Sequence, residues 1–324
     1  MQSLGGTMAG YILRRLLGIL AVVAAASVLI FAIVHVLPGN VAYTILGEFA
    51  TPAALAALEA KLGLNDPMWL QYGRWLMGVL HGDLGLSLSM DRPAVPVILD
   101  ALGRSAVLAG LAFTLVAVGG IGLGVLAAVR AGRASDHLMG LAQLVFIAIP
   151  EFFWGILFIL VFASGLGWLP ATGYAPLSEG IGAWAAHLVL PVAVLALGLI
   201  AHVSRLTRAA MLEALRSRYV LMARAKGLSG RRVLWRHAAP NAMLPAITIL
   251  AIDFGLLIGG VVVTETVFAY PGLGRLLVFA IERHDLPLLQ AGMLVLTAIY
   301  ALANLVADLA YAALNPRIRL AGTA

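Results

Sequence analysis

A chain of 324 residues that is 62% hydrophobic, 11% charged and has a mean hydropathy of +1.01 is not a soluble globule, because soluble folds run at about 45–50% apolar and roughly 25% charged residues. The formal net charge of +6 raises nucleic acid as a partner, but most basic residues flank apolar runs, as membrane orientation requires, so no nucleic-acid function is expected. Cysteine is absent, which excludes disulfides and thiolate chemistry.

A hydrocarbon core of about 30 Å takes roughly 20 apolar residues as helix, and lipid offers no partner to an open strand edge. The chain is therefore read as an all-α polytopic membrane protein with six transmembrane helices. The first span, Leu16–Leu37, follows Arg14 and Arg15 and carries only His35. Its apolar run exceeds the roughly 7–15 residues of a signal-peptide core, so a retained anchor is expected. An extracytoplasmic segment over 38–103 comes next. In it, "TPAALAALEAKLG" predicts a short helix with Thr51 as N-cap, Pro52 at the first position, Gly63 at the end and a Leu55, Leu58, Leu62 stripe. A second helix is predicted from Asp66-Pro67, with Trp69, Tyr72 and Trp75 either resting on headgroups or packing on neighbours.

The core that holds the remaining spans covers 104–314, and a tail follows over 315–324. Span two is Ala106–Val129, and span three is Leu138–Leu166, broken by Pro150 and Glu151. Spans four to six are Ala183–Val203, Ala242–Phe268 and Leu286–Leu314. Fifteen of the 21 basic residues fall on one side of this arrangement. By the positive-inside rule that side is cytoplasmic, and both termini lie there.

Several chemistries are missing. No G-x-x-x-x-G-K-[ST] loop occurs, and the two lysines, Lys61 and Lys226, follow no phosphate-binding loop. No H-E-x-x-H or G-x-S-x-G occurs either. The chain is expected to be no enzyme, with no catalytic residue, no metal site and no bound cofactor. Four acids stand in or near the spans: Glu151, Asp253, Glu265 and Asp308. An acid exposed at the bilayer centre costs roughly 3 kcal/mol. Asp253 is the deepest, so it is placed toward a bundle interior or pathway, with Glu151 as a second candidate. Glu265 and Asp308 are near span ends, where water or a backbone donor can reach them.

The most basic stretch, "ARAKGLSGRRVLWRHAAPNAMLP", lies between spans four and five. Attraction to anionic lipid accounts for its charge but not for its punctuation. Gly227 ends one helix, Ser229 can cap a short new one with Val233 and Leu234 on an apolar side, and Pro240 and Pro245 mark the return to the membrane. Such an elbow, about 213–241, is a surface for another protein to hold.

At these residues the chain resembles the membrane permeases of ATP-binding-cassette importers of the dipeptide, oligopeptide and nickel group, more narrowly the first of their two paired permeases. The superfamily loop E-A-A-x-x-x-G-x9-I-x-L-P is matched at Ala223, Gly227 and Pro240, while Leu221, Met222, His237 and Ala239 replace its Glu, Ala, Ile and Leu. "YVLMARAKGLS" and "HAAPNAMLP" are similar to the peptide group's version. So are "YILRRLLGIL" with "HVLPGN", "GDLGLSLS" with "RPAVPVI", "TETVFAYPGLGRLL" and "NLVADLAYAALNPRIR".

The resemblance implies a type I importer fold in the bacterial inner membrane. It also implies pairing with a second permease as a heterodimer, two cytoplasmic subunits that use ATP and Mg, and an extracytoplasmic substrate-binding protein. The elbow residues it singles out are Ala223, Arg224, Lys226, Gly227, Leu228, Ser229, Arg231, Arg232, His237 and Pro240. Arg236 belongs to the charged fringe. The competing readings are a proton-coupled peptide carrier acting alone, which needs more deep ionisable groups than Asp253 and Glu151, and a channel or structural protein, which leaves the elbow unexplained.

Overall fold

The structure, a computed structural model, describes residues 8–36 and 51–314. The end of "HVLPGN", the retained-anchor question at that end, and the tail from Asn315 with Arg317 and Arg319 lie outside the described residues, as do the side chains of Leu58, Lys61 and Leu62. In order the elements are α1 (Met8–Val36), α2 (Pro52–Leu62), α3 (Met68–Leu80), a two-stranded antiparallel ribbon of β1 (Leu86–Ser87) and β2 (Arg92–Pro93), α4 (Ala94–Val129), α5 (Ala134–Ala148), α6 (Glu151–Phe158), α7 (Ile181–Leu215), α8 (Arg218–Ala225), α9 (Gly230–Val233), α10 (Ala239–Val267), α11 (Leu273–Glu282) and α12 (Leu286–Leu314). Among the described residues five helices are long and apolar enough to cross a membrane, and a sixth span results if α5 and α6 count as one bent span.

The expected spans are recovered as helices, with boundaries that shift for physical reasons. α7 continues twelve residues past Val203, because a helix need not stop where the bilayer does. The third span is not merely disturbed at Pro150: α5 and α6 meet at 104°. Proline cannot donate to the ladder and biases the residue before it toward extended backbone, and Ile149 is at φ −93°, ψ 129°. By contrast Pro191 and Pro245 lie inside α7 and α10 without ending them, as neighbours in a bundle allow. Both short outer helices form where predicted. Thr51 Oγ1 accepts from the Ala54 amide at 3.3 Å, and Gly63 closes α2 in the left-handed region.

The chain packs as two compact units. One is built on the described residues of Leu17–Ser105 with Pro271–Ala301, the other on Ala106–Tyr270 with residues 8–16 and 302–314. α4 therefore runs unbroken through Gly103, where the sequence reading ends the outer segment. Pro271–Ala301 packs with the outer segment rather than with the remainder of the core.

Polar contacts specify the first unit. Its apolar centre joins Val34, Ala94, Ile98, Leu273, Leu277 and Leu288. Beside it Asp285, fully buried, accepts from Ser87 Oγ at 2.6 Å, the Ser89 amide at 3.0 Å and the Leu288 amide at 3.2 Å. Ser105 Oγ accepts from the Leu273 amide at 2.8 Å, and an Arg104 guanidinium N–H donates to the Pro271 carbonyl at 3.1 Å. Of the two predicted roles for the aromatics of α3, two side chains take the packing role. Tyr72 and Trp75 pack on Phe31 of α1, with centroids 5.4 and 6.0 Å away, while Trp69 is exposed.

In the second unit α7 packs extensively against α10. The core there joins Leu108, Val116, Leu195, Val203, Leu257 and Tyr270. α4 meets α7 through a glycine seam. A Cβ on Gly120 would come within 2.8 Å of Val203, and one on Gly124 within 2.5 Å of Thr207 and 2.6 Å of the Ser204 carbonyl. Small residues four apart bring helix backbones together in just this way.

Candidate functional site

The elbow begins where α7 ends. Ser217 Oγ donates to the Ala214 carbonyl at 2.6 Å, and α8 starts at Arg218. α8 closes in a Schellman motif: Gly227, at φ +75°, donates its amide to the Arg224 carbonyl at 2.9 Å, and the Leu228 amide reaches the Ala223 carbonyl at 3.3 Å. Glycine takes a left-handed backbone without a Cβ penalty, so the break predicted at Gly227 has its physical cause. Ser229 occupies the N-cap position of α9 in extended backbone, but its side chain makes no capping bond. The helical run then passes through a wide turn over Leu234–Ala238 directly into α10. Pro240 therefore punctuates nothing. It lies in the first turn of α10, where the wider turn before it leaves room for the ring and an absent N–H is tolerated.

One face of the elbow is anchored. Val220, Ala223, Val233, Ala238, Ala239 and Ala242 are buried together with Val125 and Ala128 at the end of α4 and Met211 and Ala214 at the end of α7. Ala223 belongs to this anchor, at 4% exposure, and presents nothing outward. Leu228 and His237 are half-buried, and the His237 carbonyl accepts from Asn241 Nδ2 at 3.1 Å. The opposite face carries Arg224, Lys226, Gly227, Ser229, Arg231, Arg232, Arg236 and Pro240, all exposed. None of these cations has an ion pair among the described residues. Sequence reasoning missed three exposed apolar side chains beside them, Leu221, Met222 and Trp235, each more than half exposed. The signal was present in Leu221 and Met222, which stand where the superfamily motif has polar or small residues.

A second anchor was also missed. Asp136, at the start of α5, accepts two hydrogen bonds from Arg208 of α7, each at 2.6 Å, and one from the Gly132 amide at 3.0 Å. This fork–fork geometry fixes both position and angle. It ties the turn between α4 and α5 to the segment of α7 that leads into the elbow.

The intramembrane acids are distributed as follows. Asp253 is 1% exposed, and both its oxygens face His202 Nδ1, at 2.9 and 3.1 Å. Glu151, first residue of α6, accepts from the Thr264 hydroxyl and lines a cavity of about 460 Å³. Glu265, two residues from the end of α10, is fully buried, so of the two expected partners water does not reach it. Asp308 pairs with Arg15 at 2.9 Å, which sets the start of α1 beside the distal part of α12. Among the described residues no three metal-ligating side chains come together.

The elbow is thus anchored on one side and leaves cations and apolar side chains exposed on the other, between long apolar helices. The sequence pattern of the family described as "binding-protein-dependent transport system inner membrane component" matches residues 120–320, and the N-terminal pattern of the corresponding membrane component matches residues 8–101. The chain belongs to this family. It is a multi-pass permease of the bacterial inner membrane, with the type I importer fold, and it is a transport component rather than an enzyme. Relatives of this permease include a probable peptide ABC transporter permease of Sinorhizobium fredii, 39% identical over 312 residues, covering 96% of this chain and 100% of that protein. The dipeptide transport system permease of Alkalihalophilus pseudofirmus is 37% identical over 332 residues, covering 96% and 100%. The glutathione transport system permease of Escherichia coli is 37% identical over 312 residues, covering 96% and 99%. The permease thus works with ATPase and substrate-binding partners, and the solitary proton-coupled carrier is not supported.

Proposed function

We propose that this permease carries short peptides inward as one half of a heterodimeric pathway, and that the elbow over about 213–241 is the handle by which a cytoplasmic ATPase drives it. In the complex two ATP-binding subunits hold ATP and Mg, a second permease completes the pathway, and an extracytoplasmic binding protein delivers the solute. The elbow and both termini face the cytoplasm, which the clustering of basic residues supports.

The observation that carries this reading is the two-sided elbow. Its buried side merges with the ends of α4, α7 and α10, so a push on it moves helices rather than a loop. Its outer side offers cations with no ion pair among the described residues, together with the exposed Leu221, Met222 and Trp235, a composition that a partner's cleft can bury and ring with charge. Switching between inward- and outward-facing states then requires two discrete packings of the bundle, biased by closure of the ATPase pair. The peptide assignment is supported by what the relatives are named for, at 37–39% identity over nearly the whole chain.

The test is co-expression with candidate ATPases. Stable co-purification that is lost on Trp235→Asp, a change on the exposed face only, supports the handle. Transport by the permease alone, driven by a proton gradient, overturns it.

A further inference from the structure

We propose that the cavity at the bend between α5 and α6 recognises the terminal ammonium group of a short peptide, with Glu151 as its acceptor and the Trp154 indole N–H as donor to the adjoining peptide carbonyl. This rests on the peptide-import reading above. The cavity, about 460 Å³, is within the range of small-molecule sites, about 300–1,000 Å³. Its walls come from the bend, from α7 at Gly198 and His202, and from α10 at Gly260.

Glu151 and His202 are the titratable groups among its lining residues, and they are not equivalent. His202 is engaged through Nδ1 with Asp253, so that acid is already matched and buried. Glu151 is half-satisfied. Its Oε1 accepts from Thr264, while Oε2 has no donor among the described residues. That oxygen lies over Gly260, where an added Cβ would stand 2.7 Å from it. The glycine leaves the space in which Oε2 rests. A carboxylate with a free oxygen in a cavity also lined by Leu195, Leu256 and Leu257 gains little from those apolar side chains until a cation arrives.

The second observation is independent. Trp154 Nε1 is buried with no acceptor among the described residues, and an indole N–H can only donate. Its ring is wedged between Phe146 and Phe158, at centroid distances of 5.3 and 6.2 Å. Glu151 and Trp154 are three residues apart on one helix, so they share a face with Cβ atoms about 5–6 Å apart. An acceptor and a donor at that spacing fit the two neighbouring polar groups at the start of any peptide, the ammonium and the first carbonyl, and ask nothing of the side chains.

The test uses the full transporter, permease pair and ATPases together in lipid nanodiscs, without the binding protein so that its selection does not enter. Equilibrium binding of labelled dialanine is compared with that of N-acetyl-dialanine. Wild type is expected to prefer the free amine by about tenfold or more, as sites built around a polar group discriminate against its loss. Glu151→Gln is expected to collapse that ratio to below about threefold, since its neutral amide gains little from the ammonium. Trp154→Phe, which keeps the ring, is expected to weaken both peptides severalfold and leave the ratio intact. If Glu151→Gln does not assemble, Gly260→Ala, which sets a methyl against Oε2, must lower the ratio instead. No saturable binding by wild type, no preference for the free amine, or an unchanged ratio in the Glu151 variant overturns the proposal. An assembled complex that hydrolyses ATP in response to its binding protein and still shows no preference sinks this site alone. Failure to assemble with any ATPase sinks the importer reading beneath it.

Discussion

Arg208 grips Asp136 with two parallel hydrogen bonds of 2.6 Å, and a third bond from the Gly132 amide closes the carboxylate. The pair joins the root of the elbow to the neighbouring turn. Breaking it leaves both helices able to fold but loosens the lever, so Arg208→Ala is expected to uncouple transport from ATP hydrolysis. Peptide uptake per ATP should fall by roughly fivefold or more, the scale of ordinary site-to-site coupling. Reconstituted vesicles, with uptake and phosphate release measured together, check this. The reversed pair Asp136→Arg with Arg208→Asp should restore part of the coupling, whereas either single change should not.

The Schellman closure at Gly227 makes a graded prediction. Alanine at φ +75° must adopt the left-handed region, at about 1–2 kcal/mol. Gly227→Ala should therefore lower the thermal midpoint modestly while retaining ATPase co-purification. Proline, held near φ −65°, cannot form the motif at all, and Gly227→Pro should abolish co-purification. Equal behaviour of the two variants contradicts this account of the break.

The glycine seam between α4 and α7 should tolerate no methyl at Gly124, where Thr207 and the Ser204 carbonyl stand within 2.6 Å of the added carbon. Gly124→Ala is expected to cost about 1–3 kcal/mol through overpacking. Gly110, on the same helix with nothing within 4 Å, should accept alanine without loss. Thermal unfolding of the two variants in one detergent separates a packing effect from a change in helix propensity, which is the same for both.

Acid sensitivity should centre on Asp285. Burial alone would raise its carboxyl, but donation from Ser87, Ser89, Leu288 and Leu88 outweighs burial and holds it below the ordinary carboxylate range. A depressed group stabilises the fold above its unfolded value, near 3.9, and that contribution is lost as pH falls through the lower folded value. Asp285→Ala should cost about 1–3 kcal/mol at neutral pH by orphaning the Ser87 and Ser89 donors. It should also flatten the acid limb of a plot of melting temperature against pH. A wild-type acid limb that survives unchanged in the variant assigns the sensitivity elsewhere.

The spans and the break at Gly227 were legible because hydropathy and backbone chemistry are local. Leu286–Leu314 is one helix as read, and Gly227 sits where only glycine is comfortable. What could not be read depends on residues distant in sequence. Nothing near Asp136 announces a partner 72 positions away. Ala223 looks like part of a contact motif and is instead interior. Glu265 follows a long apolar run as an end residue would, yet it is fully buried. Gly120 and Gly124 were readable as small residues four apart, a signal of helix pairing that the sequence did offer.

The right-angled turn at Ile149–Pro150 also bears on which flank of the permease lipid can wet. Helix ends leave backbone amides and carbonyls without intrahelical partners, and hydrocarbon provides none. With α5 and α6 both apolar and bent by 104°, that corner cannot belong to the greasy perimeter of the molecule. It must be covered by protein or bathed by an aqueous lumen, so the position of one proline already constrains which flank can face the bilayer.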